Sequence, residues 1–138
     1  MKLNWMLKGA LLAALSVALG AFAAHGLKSY VDQGLMTESQ LHNFDTASRY
    51  QMYHALGILL VAVLMKLKPA RFLNAAAWCF ALGILFFCGS LYLLSTAQVI
   101  GLDNWRWLGP VTPLGGLFFI AGWVLLAFAS LKRSSVNS

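Results

Sequence analysis

Two histidines stand at the margins of long apolar runs, where a polar side chain is costly. His25 follows the first apolar run, and His54 lies near the start of the second. A neutral imidazole can bind a metal or a haem iron, and it can carry a proton near neutral pH. Polar residues within a membrane tend to be functional. Three functions are therefore open for this pair: metal or haem binding, proton relay, and binding of a small amphipathic ligand.

Other polar residues share this position at the margins of the apolar runs. The candidate ligand-binding residues are His25, Tyr50, Gln51, His54, Ser90, Tyr92 and Thr112. If the runs are antiparallel helices, these residues fall in the same half of each helix and form one polar layer. The favoured interpretation is a hydrogen-bond network that fixes the register of the helices. The alternative is binding of a small ligand or a proton at His25 and His54.

No catalytic motif accompanies these polar residues. The sequence has no Gly-rich phosphate loop, no nucleophile elbow and no metalloprotease helix, and no acid lies within an apolar run. Proton and cation pumps usually depend on such an acid, so transport is disfavoured. No Cys, Asp or Glu stands at ligand spacing from the two histidines, so metal or haem binding is the remotest reading. The sequence predicts a protein that is not an enzyme and holds no metal or cofactor.

The apolar runs themselves predict an all-α membrane protein. Of the 138 residues, 60% are hydrophobic and only 10% are charged, whereas soluble domains average about 25% charged. A membrane-spanning helix needs about 20 apolar residues, with a range of about 17–25. We expect a single domain over residues 1–138 with spans at about 5–24, 50–67, 72–96 and 112–131, and an outer amphipathic helix at about 38–49.

The charge pattern predicts the orientation of these spans. The cations at the two termini and at the turn between the second and third runs are Lys2, Lys8, Lys66, Lys68, Arg71, Lys132 and Arg133. The two other loops hold Lys28, Arg49 and Arg106 together with all four acids, Asp32, Glu38, Asp45 and Asp103. The positive-inside rule therefore places both termini in the cytoplasm. Because the cations flank apolar runs, the net charge of +6 does not indicate nucleic-acid binding.

Local signals add three expectations. Thr37 and Gln40 have the spacing of a capping box that starts the outer helix, and Asp45 and Arg49 are spaced i, i+4 on it. Small residues recur every fourth position and predict close helix packing, at Ala10, Ala14 and Ala18 and at Ala75, Cys79 and Gly83. The first 25 residues also resemble a signal peptide, although their apolar run is longer than a usual signal core.

The polar segments resemble a known family, the small bacterial inner-membrane proteins of domain of unknown function 423, related to transmembrane protein 256. The segments that carry the resemblance are GAFAAH at 20–25, YQMYH at 50–54, GSLY at 89–92 and TPLGG at 112–116. They occur in the right order over nearly the whole chain. The resemblance implies a multi-pass protein of the bacterial inner membrane with four helices, and it supplies no activity.

These observations lead to one functional expectation. The chain is expected to be a non-enzymatic accessory or scaffold subunit of a membrane complex. Its expected partners are the lipid bilayer and either a membrane protein or further copies of itself.

Overall fold

The computed structural model describes residues 4–67, 71–101 and 105–134, and these residues form helices and no strand. The α-helices are α1 (Trp5–Phe22), α2 (Lys28–Asp32), α3 (Glu38–Leu67), α4 (Arg71–Gly83), α5 (Gly89–Thr96) and α6 (Val111–Ser134). Two π-helical segments, Ala23–Leu27 and Ile84–Cys88, join α1 to α2 and α4 to α5 without a break, and Arg106–Leu108 is a 3₁₀ turn. The all-α prediction is therefore confirmed.

Four helical stretches are long and apolar enough to cross a membrane. Span 1 is Trp5–Asp32, span 2 is Glu38–Leu67, span 3 is Arg71–Thr96 and span 4 is Val111–Leu131. Span 2 unites the predicted outer helix and second span in one helix of 30 residues. At 1.5 Å per residue it is about 45 Å long, longer than the roughly 30 Å hydrocarbon core. Its polar first part therefore extends beyond the apolar layer.

The two ends of the bundle differ in charge. We call the end at Trp5, Leu67 and Arg71 the basic end, and the end at Asp32, Glu38 and Val111 the acidic end. The sequence predicts that the basic end is cytoplasmic. Several residues of that prediction lie outside the described residues, namely Lys2, Lys68 and Asp103, and the charged side chains of Arg106, Lys132 and Arg133 are likewise outside the description.

Spans 2 and 3 form the centre of the bundle, and spans 1 and 4 flank them. Helix α1 packs along α3, α3 packs on α4 and α5, and α4 with the second π-helical segment packs on α6. Spans 2 and 3 bury about twice the fraction of their residues that spans 1 and 4 bury. The flanking spans consequently present most of their surface outward.

Span 1 packs through a different face from the one its alanines predicted. Ala10, Ala14 and Ala18 are all exposed, whereas Gly9 and Ser16 are buried against α3. A Cβ on Gly9 would lie 3.2 Å from the carbonyl oxygen of Ala55 and 2.9 Å from Leu59. Spacing alone could not separate the two stripes, because small residues recur on both faces of α1.

The predicted stripe on span 3 is only partly at a contact. Gly83 is buried, but Ala75 and Cys79 are half-buried. The fully buried residues of this helix lie one or two positions further on, at Ala76, Ala77 and Phe80. The contact face is therefore rotated from the predicted one.

Spans 3 and 4 approach most closely at the second π-helical segment. A Cβ on Gly115 would lie 2.7 Å from the Cα of Phe87, closer than real contacts allow. Gly83 and Gly122 similarly leave room for the rings of Phe119 and Phe80. Glycine at 115 thus permits backbone to meet backbone, the kind of approach on which packing in lipid depends.

The start of span 2 has the predicted cap and ion pair. The Thr37 amide donates to Gln40 Oε1 at 2.8 Å, and the Gln40 amide donates to Thr37 Oγ1 at 3.2 Å. Arg49 Nε and Asp45 Oδ2 are 2.8 Å apart. Both expectations are confirmed, and they explain why α3 begins at Glu38 despite its polar sequence.

Candidate functional site

Gln51 is the centre of the polar network between the spans. Its side chain is 2% exposed, its Nε2 donates to the carbonyl oxygen of Leu12 at 2.9 Å, and its Oε1 accepts from the Tyr92 hydroxyl at 2.9 Å. One amide therefore joins spans 1, 2 and 3. The Leu12 carbonyl lies within α1 and accepts this bond in addition to its bond within the helix, whereas the Tyr92 hydroxyl would be unsatisfied in hydrocarbon without Gln51.

Two further hydrogen bonds, each made by a serine side chain, also link neighbouring spans. Ser90 Oγ and Thr112 Oγ1 are 2.6 Å apart and link span 3 to span 4. Ser16 Oγ donates to the carbonyl oxygen of Ser48 at 2.7 Å and links span 1 to span 2. Four of the predicted residues, Gln51, Tyr92, Ser90 and Thr112, are thus used in contacts between helices.

The hydrogen bonds of His54 define which of its nitrogens carries the proton. Nδ1 lies 2.7 Å from the carbonyl oxygen of Tyr50, which can only accept, so Nδ1 carries hydrogen. The indole Nε1 of Trp123 can only donate, and it donates to Nε2 at 3.2 Å. His54 is accordingly a neutral imidazole with both nitrogens occupied. Metal binding or protonation at Nε2 would require the Trp123 bond to break.

Aromatic rings enclose the His54 imidazole. It stacks on Phe119 with ring centroids 3.4 Å apart and an interplanar angle of 7°. Phe80 and Trp123 lie at centroid distances of 5.6 and 6.0 Å. Tyr50 is 41% exposed, and its ring stacks with that of Phe87 at 5.0 Å. This environment favours the neutral imidazole, and it serves as packing between spans 2, 3 and 4.

Among the described residues His25 does not join this network, and the structure does not bring it together with His54, so a site shared by the two histidines stays a prediction. The His25 side chain is exposed on the first π-helical segment, and no hydrogen bond among the described residues involves it. The contacts of Leu12 with Gln51 and Ser16 with Ser48 place His25 level with residue 40 or so of α3. His54 is then about 14 residues further along, or about 20 Å. The sequence could not give this register, because polarity marks a helix end only to within a few turns.

A separate groove of about 290 Å³ opens at the acidic end, between span 1 and the start of span 2. It is lined by Ala23, Ala24, Lys28, Glu38, Leu41, His42 and Asp45. Lys28 Nζ is 3.2 Å from both Asp32 Oδ1 and Glu38 Oε1. His42 is exposed, and sequence reasoning missed this groove. The spacing of Glu38, His42 and Asp45 on one helix face was the available signal.

The two π-helical segments lie beside these features. Ala23–Leu27 contributes Ala23 to the groove, and Ile84–Cys88 contributes Phe87 to the contact with Gly115. Such widened turns occur mostly as single-turn bulges and often near functional sites. Sequence reasoning also missed Trp123 as the partner of His54.

The helices, their apolar surfaces and the interhelical network define the class of this molecule: a multi-pass membrane protein with four candidate spans. Comparison with known proteins agrees. The chain belongs to the family described as "Protein of unknown function (DUF423)", whose model matches residues 19–116.

Several curated relatives are similar over most of the chain. UPF0382 membrane protein SH2409 of Staphylococcus haemolyticus is 40% identical over 128 residues, which cover 93% of this chain and 95% of the relative. UPF0382 membrane protein YwdK of Bacillus subtilis is 40% identical over 129 residues, covering 93% and 96%. A UPF0382 membrane protein of Haemophilus influenzae is 38% identical over 120 residues, covering 87% of each chain. No solved structure gives a significant match.

Proposed function

We propose that this protein is a non-enzymatic scaffold or accessory subunit of a complex in the bacterial inner membrane. The observation that carries the proposal is that polar side chains between the spans bond to one another across the helices. Gln51, Tyr92, Ser90 and Thr112 hydrogen-bond to other helices. Polar groups arranged in this way fix one packing of the spans, which is what a scaffold requires.

The surfaces of the flanking spans suit a partner in the membrane. Along span 4 the exposed large side chains recur at helical spacing, at Leu114, Leu117, Ile120, Val124, Phe128 and Leu131. Span 1 exposes Leu7, Leu11 and Leu15 in the same way. Lipid or another helix can cover either stripe, and a rigid centre keeps both in a fixed relation.

Affinity purification in a gentle detergent tests the proposal. The tagged full-length chain is expected to retain a membrane protein in constant molar ratio through a second, size-based separation. Gln51→Leu, which removes the link between three spans, should weaken that retention, whereas Lys66→Gln, an exposed change at the basic end, should leave it intact. A chain that purifies alone from membranes at native expression would contradict the accessory role.

A second candidate function is binding of a small polar ligand at the acidic end. The groove beside Lys28, Glu38, His42 and Asp45 supports it, and His25 and His54 do not take part. Native mass spectrometry of the purified protein would detect a bound molecule. Its loss in Glu38→Gln, with retention in His25→Gln, is expected if the groove is the site. Loss in His25→Gln alone would contradict this assignment.

A further inference from the structure

Lys8 is a cation one turn inside span 1, and two tryptophans hold its ammonium group. Nζ lies 5.1 Å from the ring centroid of Trp5 and 5.6 Å from that of Trp78. Side chains on a helix lean toward its N-terminus, so Lys8 extends toward the basic end of the bundle. A cation over an indole ring is attracted by the ring quadrupole, and the attraction grows as water is excluded.

Trp5 and Trp78 lie beside Lys8, and we call these two residues and Asn74 the tryptophan corner. The three residues are held in place by contacts with one another. Trp5 is 4% exposed and packs edge-on against Trp78, with centroids 5.1 Å apart and planes at 90°. Trp5 Nε1 donates to Asn74 Oδ1 at 3.0 Å. Spans 1 and 3 therefore meet here. Asn74 is exposed, and the bond to Trp5 uses its Oδ1 and not the N–H groups of its side-chain amide. The ammonium position is defined before any ligand arrives.

No acid of the described chain lies near enough to neutralise Lys8. The described acids, Asp32, Glu38 and Asp45, all belong to the acidic end and pair there with Lys28 or Arg49. At the basic end the other charged side chains that the structure describes are those of Lys66 and Arg71. An ammonium at the edge of the hydrocarbon layer can reach the headgroup region, where the anions are phospholipid phosphates.

We propose that Lys8, Trp78 and Asn74 form a site for the headgroup phosphate of an anionic phospholipid. Lys8 supplies the charge, the exposed face of Trp78 lies at headgroup level, and the Asn74 amide donates to a phosphate oxygen. The exposed side chains of Leu7, Leu11 and Leu15 continue from this corner along span 1. They provide an apolar track for the acyl chain, which a free phosphate ion could not use.

Native mass spectrometry of the full-length protein in detergent, with phosphatidylglycerol or phosphatidylcholine added, tests the site. The unchanged chain is expected to retain phosphatidylglycerol in preference to phosphatidylcholine. Lys8→Gln should lower retention of phosphatidylglycerol about five- to tenfold, the effect of one lysine close to the lipid phosphates. Lys8→Arg should restore it. Lys66→Gln is the matched control, because it removes an exposed cation from the same end without the tryptophan corner.

The outcomes separate the possible sources of the anion. Equal losses in Lys8→Gln and Lys66→Gln would mean a diffuse basic rim and overturn the proposal, as would no loss in either. Displacement of the lipid by inorganic phosphate at equal concentration would show that the corner binds free phosphate and overturn the lipid assignment. If Lys8→Gln fails to fold by circular dichroism, Trp78→Leu replaces it: this variant keeps the charge and removes one ring that positions the ammonium, so a smaller loss is expected, and no loss would overturn the proposal.

Discussion

At the scale of single residues, the polar side chains inside the bundle form hydrogen bonds with protein partners, because the apolar surroundings offer no water. Gln51 has two partners on two different spans, and His54 has a donor for one nitrogen and an acceptor for the other. In hydrocarbon an unpaired polar group costs several kcal/mol, about the worth of a well-packed side chain. Each pair therefore specifies a helix rotation as well as a contact.

Replacing Gln51 tests how much its two hydrogen bonds contribute to the stability of the bundle. Gln51→Leu removes the bond to Leu12 and leaves the Tyr92 hydroxyl without its acceptor, so we expect a loss of about 1–2 kcal/mol in the free energy of unfolding. Tyr92→Phe removes one bond and should cost about 0.6 kcal/mol, the usual value for such bonds in membranes. Unfolding in mixed detergent micelles measures both. Additive losses in the double variant would contradict a direct bond between the two side chains.

The tautomer of His54 can be observed directly. Nitrogen-15 NMR of the labelled protein in detergent should show a protonated Nδ1 and an unprotonated Nε2. Trp123→Phe removes the donor to Nε2 and should shift that resonance, while Phe118→Leu, on the same helix but with its ring stacked on Phe86, should not. Hydrogen on Nε2 in the unchanged protein would contradict the assignment. A change in the Nε2 resonance on addition of haem or zinc would indicate that His54 binds the metal.

Much of the residue-level pattern could be predicted from sequence, and its geometry could not. Polarity within apolar runs was enough to select Gln51, Tyr92, Ser90 and Thr112, because such groups must find partners in lipid. It did not show that His25 lies apart from these residues, because the position of His25 depends on the register of span 1 against span 2. Trp123 went unselected because an indole within an apolar run can pack as an apolar side chain, and the sequence does not show which acceptor its N–H meets.

At the scale of elements, the packing depends on where glycine lets two backbones meet. On span 1 the contact face holds Gly9 and Ser16, although the sequence offers an equally regular alanine stripe on another face. On span 4, Gly115 faces the backbone of Phe87, within the second π-helical segment. A widened turn and a missing Cβ together set the distance between spans 3 and 4.

The neighbouring glycines Gly115 and Gly116 allow a controlled test of that contact. Gly115→Ala would force a Cβ against the backbone of Phe87, which cannot rotate away, so we expect a loss of about 1–3 kcal/mol in stability. Gly116→Ala meets only the Phe87 ring at 3.9 Å and should be neutral or slightly stabilising. Thermal unfolding in detergent compares the two. Equal effects of both substitutions would show that the backbone contact does not determine the packing.

At the scale of the whole molecule, the charged groups separate to opposite ends of an apolar body. The described acids are paired within the acidic end, while Lys8, Lys66 and Arg71 stand at the basic end. Sequence alone predicts this polarity well, since it depends on residue counts in loops and not on side-chain geometry.

Labelling of single cysteines tests the predicted direction of the bundle. His42→Cys at the acidic end should react with a membrane-impermeant maleimide in intact spheroplasts, because the positive-inside rule puts that end outside. Lys66→Cys at the basic end should react only after the membrane is opened. The unsubstituted chain is the control, since its Cys79 is half-buried and its Cys88 is buried within span 3. Labelling of Lys66→Cys in intact spheroplasts, with His42→Cys protected, would reverse the orientation. It would also move the proposed Lys8 lipid site to the outer leaflet, so this result decides on which side of the membrane its ligand must be sought.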